Sequence, residues 1–145
     1  MLNMSATDLV ANMRQGDLSS VEVTEFYIDR IKQRNDSVNA VIAQRFDEAL
    51  VQAHHADDCA RAGEPIGALH GLPMTIKDAY EVTGLTCEVG HLPYHGRVST
   101  RDAVVVQRLR AAGAIILGKT NTPLQCADLQ TYNAIHGTTN NPHNL

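Results

Sequence analysis

Apolar residues recur at helical spacing through the N-terminal part of the chain. The first predicted helix runs from Ser5 to Gly16, with Ser5 and Asp8 as a capping pair and Gly16 as its stop. The second runs from Ser19 to Asn35 and begins with the same kind of pair, a serine followed three residues later by an acidic residue. The pattern therefore predicts two amphipathic helices in succession.

A third helix is predicted after a short apolar stretch. Ala40–Ala43 is too brief to assign, and helical spacing resumes from Asp47 to Ala62. The outward positions of this third helix are polar. Residues 1–65 are therefore expected to be helical.

The pattern changes to short, continuous apolar runs in residues 66–120. Leu72–Ile76 predicts a buried strand, and Ala114–Leu117 predicts another. Between them, Ser99 and Asp102 predict the cap of a helix that ends at Gly113. A strand, a long crossover with a helix and a second strand form a parallel pair, and continuous apolar runs indicate that both faces are covered. The predicted fold class is α/β.

The last part of the chain is polar. From Thr120 to Leu145 the only charged residue is Asp128, taking histidine as neutral. A stretch of this kind does not close a core, so the second strand is left without a visible partner on its far side. We expect one domain, incomplete in these residues, with helices in 1–65, strand–helix–strand in 66–120 and polar loops in 121–145.

Composition narrows the classes of function. The 145 residues carry a net charge of −4, with 4% aromatic residues and no tryptophan, which disfavours nucleic-acid binding. Three cysteines without a close pair fit a reducing compartment. The N-terminus has no leader pattern, and no apolar run is long enough to span a membrane. We expect a cytoplasmic protein with no membrane or nucleic-acid partner.

One segment matches the sequence of a phosphate-binding motif but lacks the structural context that the motif needs. Gly113–Thr120 fits the expression G-x-x-x-x-G-K-T, in which backbone amides cradle phosphates. That motif needs a strand before it and a helix after it, whereas here a helix precedes and Pro123 follows. The better interpretation is the end of a helix followed by a core strand.

Histidine and cysteine clusters are weak candidates for metal or nucleophile sites. His91 and His95 are four residues apart, but Pro93 between them disfavours a helix, so they fit a surface loop. The adjacent histidines at 54 and 55 lie near two aspartates on a polar helix face that is typically solvated. Cys87 is a conceivable nucleophile with His91 or His95 as base, although spacing alone does not support that pair. No metal site is predicted.

Lys77 occupies an unusual position for a charge. It ends an apolar strand and is followed at once by Asp78. Burial there favours a neutral amine, which can act as a base. The alternative is that Lys77 reaches solvent or pairs with Asp78. Pattern alone leaves both interpretations open.

Three segments, in order and at matching spacing, resemble the amidase signature family. They are Leu69–Asp78, with the context G-x-P-x-x-x-K-D, then Asp102–Asn121, and finally Gly137–Pro142. The resemblance covers the whole chain but only about the first third of a typical family member. It implies a mixed sheet flanked by helices, a small amide as substrate and no cofactor or metal.

The resemblance also implies roles for individual residues. Family members hydrolyse amides with a Ser-cis-Ser-Lys triad, and the lysine of that triad corresponds to Lys77. A neutral Lys77 would take a proton through the bridging serine, so that the second serine attacks the amide carbonyl and forms an acyl-enzyme. Asp78 and Asn121 correspond to supporting residues that fix the strand end and the neighbouring loop.

The chain departs from the family pattern in its serines. None of the five serines, at positions 5, 19, 20, 37 and 99, lies in the family's Gly-Gly-Ser-Ser-Gly-Gly motif. We therefore expect the isolated chain to be inactive. Three functions stay open: part of a stand-alone amidase, part of the A subunit of a glutamyl-tRNA amidotransferase, or a non-catalytic module that folds by self-association or partner binding.

Overall fold

The computed structural model describes residues 1–64 and 66–144, which form helices and a small mixed sheet. The helices are α1 (Ala6–Gln15), α2 (Ser20–Val38), α3 (Phe46–Arg61) and α4 (Val104–Ala111). The strands are β1 (Val41–Gln44), β2 (Pro73–Lys77), β3 (Ile115–Thr120), β4 (Tyr132–Asn133) and β5 (Gly137–Thr138). Within the described ranges, every helix is too short or too polar to cross a membrane.

The first two helices begin with the predicted reciprocal caps. Ser5 Oγ accepts a hydrogen bond from the Asp8 amide at 3.1 Å, and the Asp8 carboxylate accepts one from the Ser5 amide at 3.0 Å. Ser19 and Glu22 exchange the same two bonds, at 3.0 and 2.8 Å. Each pair satisfies backbone donors that have no partner inside the helix, which is why these boundaries follow from local sequence.

The three longer strands form a sheet in the order β1-β3-β2. β1 runs antiparallel to β3, with Val41 opposite Thr120. β2 and β3 run parallel, because backbone bonds join Gly71 to Gly113 at one end and Asp78 to Thr120 at the other. The α/β class and the parallel pair are confirmed. The expectation that the second predicted strand lacks a partner on its far side is wrong, because β1 lies there.

The start of the fourth helix differs from the prediction. α4 begins at Val104, and the Ser99 hydroxyl is buried without a hydrogen-bond partner among the described residues. Asp102 Oδ1 instead accepts a hydrogen bond from the Thr83 amide at 2.7 Å, across nineteen positions of sequence. The polar residues before α4 therefore hold a loop, and Ser99 does not cap the helix.

The described residues cluster into two compact units, each assembled from three segments. The first contains an apolar cluster of Leu9, Met13, Val23 and Leu72. The second contains β1, the ends of β2 and β3 with the loops that follow them, and all three candidate site residues. The segments of the first unit are residues 1–30, 45–74 and 107–117, and those of the second are 31–44, 75–106 and 118 onward.

Gly118 lets β3 approach β1 closely. A methyl group at Gly118 would overlap the carbonyl oxygen of Ala43, a backbone atom held by the antiparallel ladder. We expect Gly118→Ala to lower the free energy of unfolding by about 3 kcal/mol, the upper range for overpacking. The matched control is Gly63→Ala, where the methyl group meets nothing and only the left-handed backbone costs, about 1 kcal/mol. Equal losses for the two variants in urea denaturation would contradict this account.

Candidate active site

Lys77 stands at the end of β2 with its side chain exposed, while both neighbours are buried. Ile76 is 6% exposed and Asp78 is 0% exposed. This alternation is that of a strand, whose successive side chains point to opposite faces. Of the two interpretations of Lys77, the structure shows the one in which it reaches solvent. Lys77 is not the partner of Asp78, whose carboxylate binds Lys119 instead.

Asp78 uses both carboxylate oxygens inside the protein. Oδ2 accepts hydrogen bonds from the amides of Glu88 at 3.0 Å and Val89 at 2.7 Å. Oδ1 lies 3.2 Å from Lys119 Nζ, and both side chains of this ion pair are 0% exposed. The Asp78 amide donates to the Thr120 carbonyl at 2.9 Å. These contacts fix the backbone immediately after Lys77.

Lys119 lies on β3 and is fully buried. Its Nζ donates to the Thr86 carbonyl at 2.8 Å as well as to the Asp78 carboxylate. The G-x-x-x-x-G-K-T run therefore forms the turn that follows α4 and then the strand β3, as the helix-then-strand interpretation predicts. An ammonium held inside the protein in this way does not reach a phosphate at the surface.

The buried carboxylate of Glu88 has three contacts of its own. One carboxylate oxygen accepts a hydrogen bond from the Gly96 amide at 2.6 Å and lies 3.0 Å from His95 Nδ1. The other lies 2.5 Å from His136 Nε2. Burial raises the pKa of Glu88, but the Gly96 amide and His136 lower it by more, so the net pKa lies below its usual 4.5.

This lowered pKa makes Glu88 a source of pH-dependent stability. The unfolded carboxyl binds a proton near pH 4.5, whereas the folded one stays ionised to lower pH. The contribution of Glu88 is therefore present above pH 4.5 and is lost as the pH falls through the folded pKa. We expect Glu88→Gln to lower stability at pH 7 and to flatten its decline below pH 4.5, measured by urea midpoints from pH 7 to 3. The assignment would be contradicted if the urea midpoint of Glu88→Gln declined below pH 4.5 as steeply as that of the wild type.

Asn121 organises the loop that follows β3. Its side-chain NH₂ donates to the Gly137 carbonyl at 3.2 Å and to Thr139 Oγ1 at 3.1 Å. Its side-chain oxygen accepts hydrogen bonds from the Thr122 amide at 2.9 Å and from Asn133 Nδ2 at 2.8 Å. Asn121 therefore holds β3, β4 and β5 together, and is itself 8% exposed.

The cysteine and histidine residues near position 90 have structural contacts. Cys87 is 4% exposed, and its thiol donates to the Asp78 carbonyl at 3.1 Å. Burial raises the pKa of the Cys87 thiol, which opposes formation of a nucleophilic thiolate. His95 binds Glu88, and His91 packs edge-on against Tyr94. These contacts do not form a Cys–His pair.

An apolar cavity of about 620 Å³ opens in the same unit, one residue beyond Val89. Its walls come from residues 90–93, from Leu124, and from β4 with the residue that follows it. The residues lining it are Gly90, His91, Leu92, Pro93, Leu124, Tyr132, Asn133 and Ala134.

The sequence interpretation singled out Lys77, Asp78 and Asn121 but not Glu88, His136 or the pairing of Lys119. The sequence feature that could have identified Glu88 is that it is the single acidic residue between Gly84 and Gly90. A buried charge of this kind requires a partner. The partner His136 lies forty-eight positions away, beyond the reach of local pattern.

Comparison with known proteins finds relatives that match nearly the whole chain. A family model described as Amidase matches residues 22–145. An acylamidase of Rhodococcus erythropolis is 39% identical over 142 residues, which are 98% of this chain and 30% of that protein. The A subunit of a glutamyl-tRNA(Gln) amidotransferase from Streptomyces coelicolor is 34% identical over 144 residues, covering 99% of this chain and 29% of that protein.

The fold is shared with solved structures as well. A bacterial aryl acylamidase of the amidase signature family superposes with a TM-score of 0.90 at 30% identity, over 98% of this chain and 30% of that one. The chain thus spans about 30% of the length of the relatives it matches.

Proposed function

Because the chain belongs to the amidase signature family, we propose that the protein containing it hydrolyses a carboxylic amide to an acid and ammonia or an amine, with Lys77 as the base. Lys77 lies in the family context G-x-P-x-x-x-K-D. Asp78 and Asn121 are supporting residues in this proposal. No cofactor or metal takes part in it.

The observation that carries the proposal is the contrast between Lys77 and its surroundings. The Lys77 side chain is exposed, whereas the backbone after it is fixed by the buried contacts of Asp78. A general base needs both a free reactive nitrogen and a fixed position, because misplacement by about 1 Å costs about a hundredfold in rate. In this structure the Lys77 amine is exposed and the backbone beside it is fixed, and we propose that the remainder of the complete protein supplies the burial that favours the neutral amine.

The proposed reaction has two steps. Neutral Lys77 accepts a proton through a bridging serine while a second serine attacks the amide carbonyl, and the amine leaves with a proton. Water then adds to the resulting ester, releases the acid and regenerates the serine. Lys77 is the triad member that this chain supplies, and we propose that the serines come from the remainder of the complete protein. On this basis the chain by itself is inactive.

The substrate and location are proposed more broadly. The apolar cavity beside Val89 suits an amide with an apolar acyl or aryl group. The three free cysteines fit a reducing compartment, so we propose a cytoplasmic protein without a membrane or nucleic-acid partner. The similarity to an amidotransferase favours a second candidate, in which the amide is that of glutamine and the ammonia passes to a partner enzyme.

Assays of the complete protein test this proposal. Aliphatic, aryl and amino-acid amides are incubated with it, and the acid and the amine or ammonia are quantified together. We expect equal amounts of both products from at least one amide, whereas release confined to glutamine would favour the amidotransferase role. A folded protein that releases neither product from any of these amides would overturn the proposal and favour a non-catalytic module that self-associates or binds a partner.

A further inference from the structure

The buried ion pair of Asp78 and Lys119 begins at the residue that follows the proposed base, Lys77. Asp78 follows Lys77 in sequence, and its side chain points to the opposite, buried face. Lys119 stands on the neighbouring strand β3, next to Thr120, whose carbonyl accepts the Asp78 amide. Lys119 is fully buried and contacts the Asp78 carboxylate, whereas Lys77 is exposed and precedes Asp78 in sequence.

Asp78 binds backbone amides and carries a negative charge at the residue that follows Lys77, on the opposite, buried face of the strand. Its Oδ2 accepts the amides of Glu88 and Val89, and Val89 adopts a left-handed conformation with φ 48°. A carboxylate suits this turn because it accepts two amides at once. The same charge, left unbalanced in a buried site, stabilises a nearby ammonium and so opposes the neutral amine that a base requires.

We propose that Lys119 is a positioning residue for amide hydrolysis, which balances the charge of Asp78 and so allows Lys77 to act as a neutral base. This inference rests on the proposed function. Lys119 is itself 0% exposed and donates to Asp78 and to the Thr86 carbonyl, so it does not contact substrate. Its contribution is a positive charge in contact with the Asp78 carboxylate, just after the end of β2.

The remaining ionisable groups around the pair have partners of their own. Cys87 donates its thiol to the Asp78 carbonyl, and Arg97 and Glu81 act on that thiol at longer range. Glu81 forms ion pairs with Arg97 and with a second arginine, Arg101. Glu88 directs its carboxylate to the two histidines at 95 and 136. Lys119 is therefore the cation that contacts Asp78 directly among the described residues.

The test measures kcat/KM of the complete protein against pH in two variants that change the net charge of the buried pair in opposite directions. The acid limb is the part of this profile in which kcat/KM rises with pH because the base loses its proton. Lys119→Gln keeps a donor for Asp78 but removes the positive charge, so the acid limb should move to higher pH. Asp78→Asn removes the negative charge, so the acid limb should move to lower pH. A unit charge about 10 Å away at an effective dielectric of about 20 to 40 corresponds to about half to one pH unit.

Control variants separate an effect of the Lys119 charge from an effect on the folded structure. The double variant with both substitutions restores the balance and should return the acid limb to the wild-type position, while Lys32→Gln changes an exposed lysine and should leave it unmoved. Circular dichroism identifies which variants are folded, and each folded single variant tests the inference independently. An acid limb at the wild-type pH in a folded single variant, with activity merely lower, would show that Lys119 is only structural and overturn the inference. Full activity in Lys77→Ala would instead overturn the base role itself.

Discussion

Replacing Lys77 by alanine should lower kcat/KM of the complete protein for its amide substrate by about 10² to 10⁴, the usual contribution of a positioned acid or base. The reason is that no other described lysine is both exposed and fixed at the strand end, since Lys119 is buried in its ion pair. Stability should change little, because the Lys77 side chain is exposed. Steady-state kinetics and a melting curve on the same sample measure the two quantities.

Lys32→Ala is the matched control for this loss. Lys32 lies on α2 and is exposed, so its removal tests whether the loss of any surface lysine affects the rate. Comparable losses in the two variants would point to a general charge effect. A Lys77→Ala enzyme as fast as the wild type would exclude Lys77 from the chemistry.

The second large effect is on stability. Asp78→Ala leaves the Lys119 ammonium without its carboxylate and removes the acceptor of the Glu88 and Val89 amides. Breaking a buried pair in this way costs about 3–5 kcal/mol, because the remaining charge is uncompensated. We expect a loss of that size in urea denaturation of the complete protein, a large part of the roughly 5–15 kcal/mol that holds an ordinary domain folded.

An exposed ion pair in the same chain provides the comparison. Asp58 and Arg61 lie on α3 at 2.6 Å, with side chains that are 69% and 73% exposed. Solvent screens such a pair, so Asp58→Ala should have little effect on the urea midpoint. Asp78→Ala with a loss no greater than that of Asp58→Ala would mean that the buried pair contributes nothing to folding.

The elements that sequence predicted well are those fixed by neighbouring residues. The caps of α1 and α2 need only a serine and an acidic residue three positions apart, which form their bonds whatever the rest of the chain does. β3 was predictable because a buried strand is continuously apolar, whereas β2, also predicted as buried, is half-buried over residues 73–75 and exposed at Lys77. β1 was not predicted, because a four-residue apolar stretch acquires its strand conformation only from pairing with β3.

The candidate site was predictable only in part, for a similar reason. Lys77 stands out because a charge at the end of an apolar strand is unusual, and the family context then suggests its role. The burial of Lys119 is invisible in sequence, since a lysine between a glycine and a threonine is equally compatible with an exposed loop. Its state depends on Asp78, forty-one positions away. The predicted cap of α4 was wrong for Ser99, whose hydroxyl is buried without a hydrogen-bond partner among the described residues.

The strand order also constrains when the sheet can form during synthesis. β3 lies between β1 and β2 but is the last of the three to leave the ribosome. Until it emerges, β1 and β2 both have backbone groups without their strand partner. Pairing across such long separations is slow, because a large loop must close first. The nascent chain therefore stays accessible to chaperones until Thr120 has left the ribosome and the Asp78–Lys119 ion pair can form.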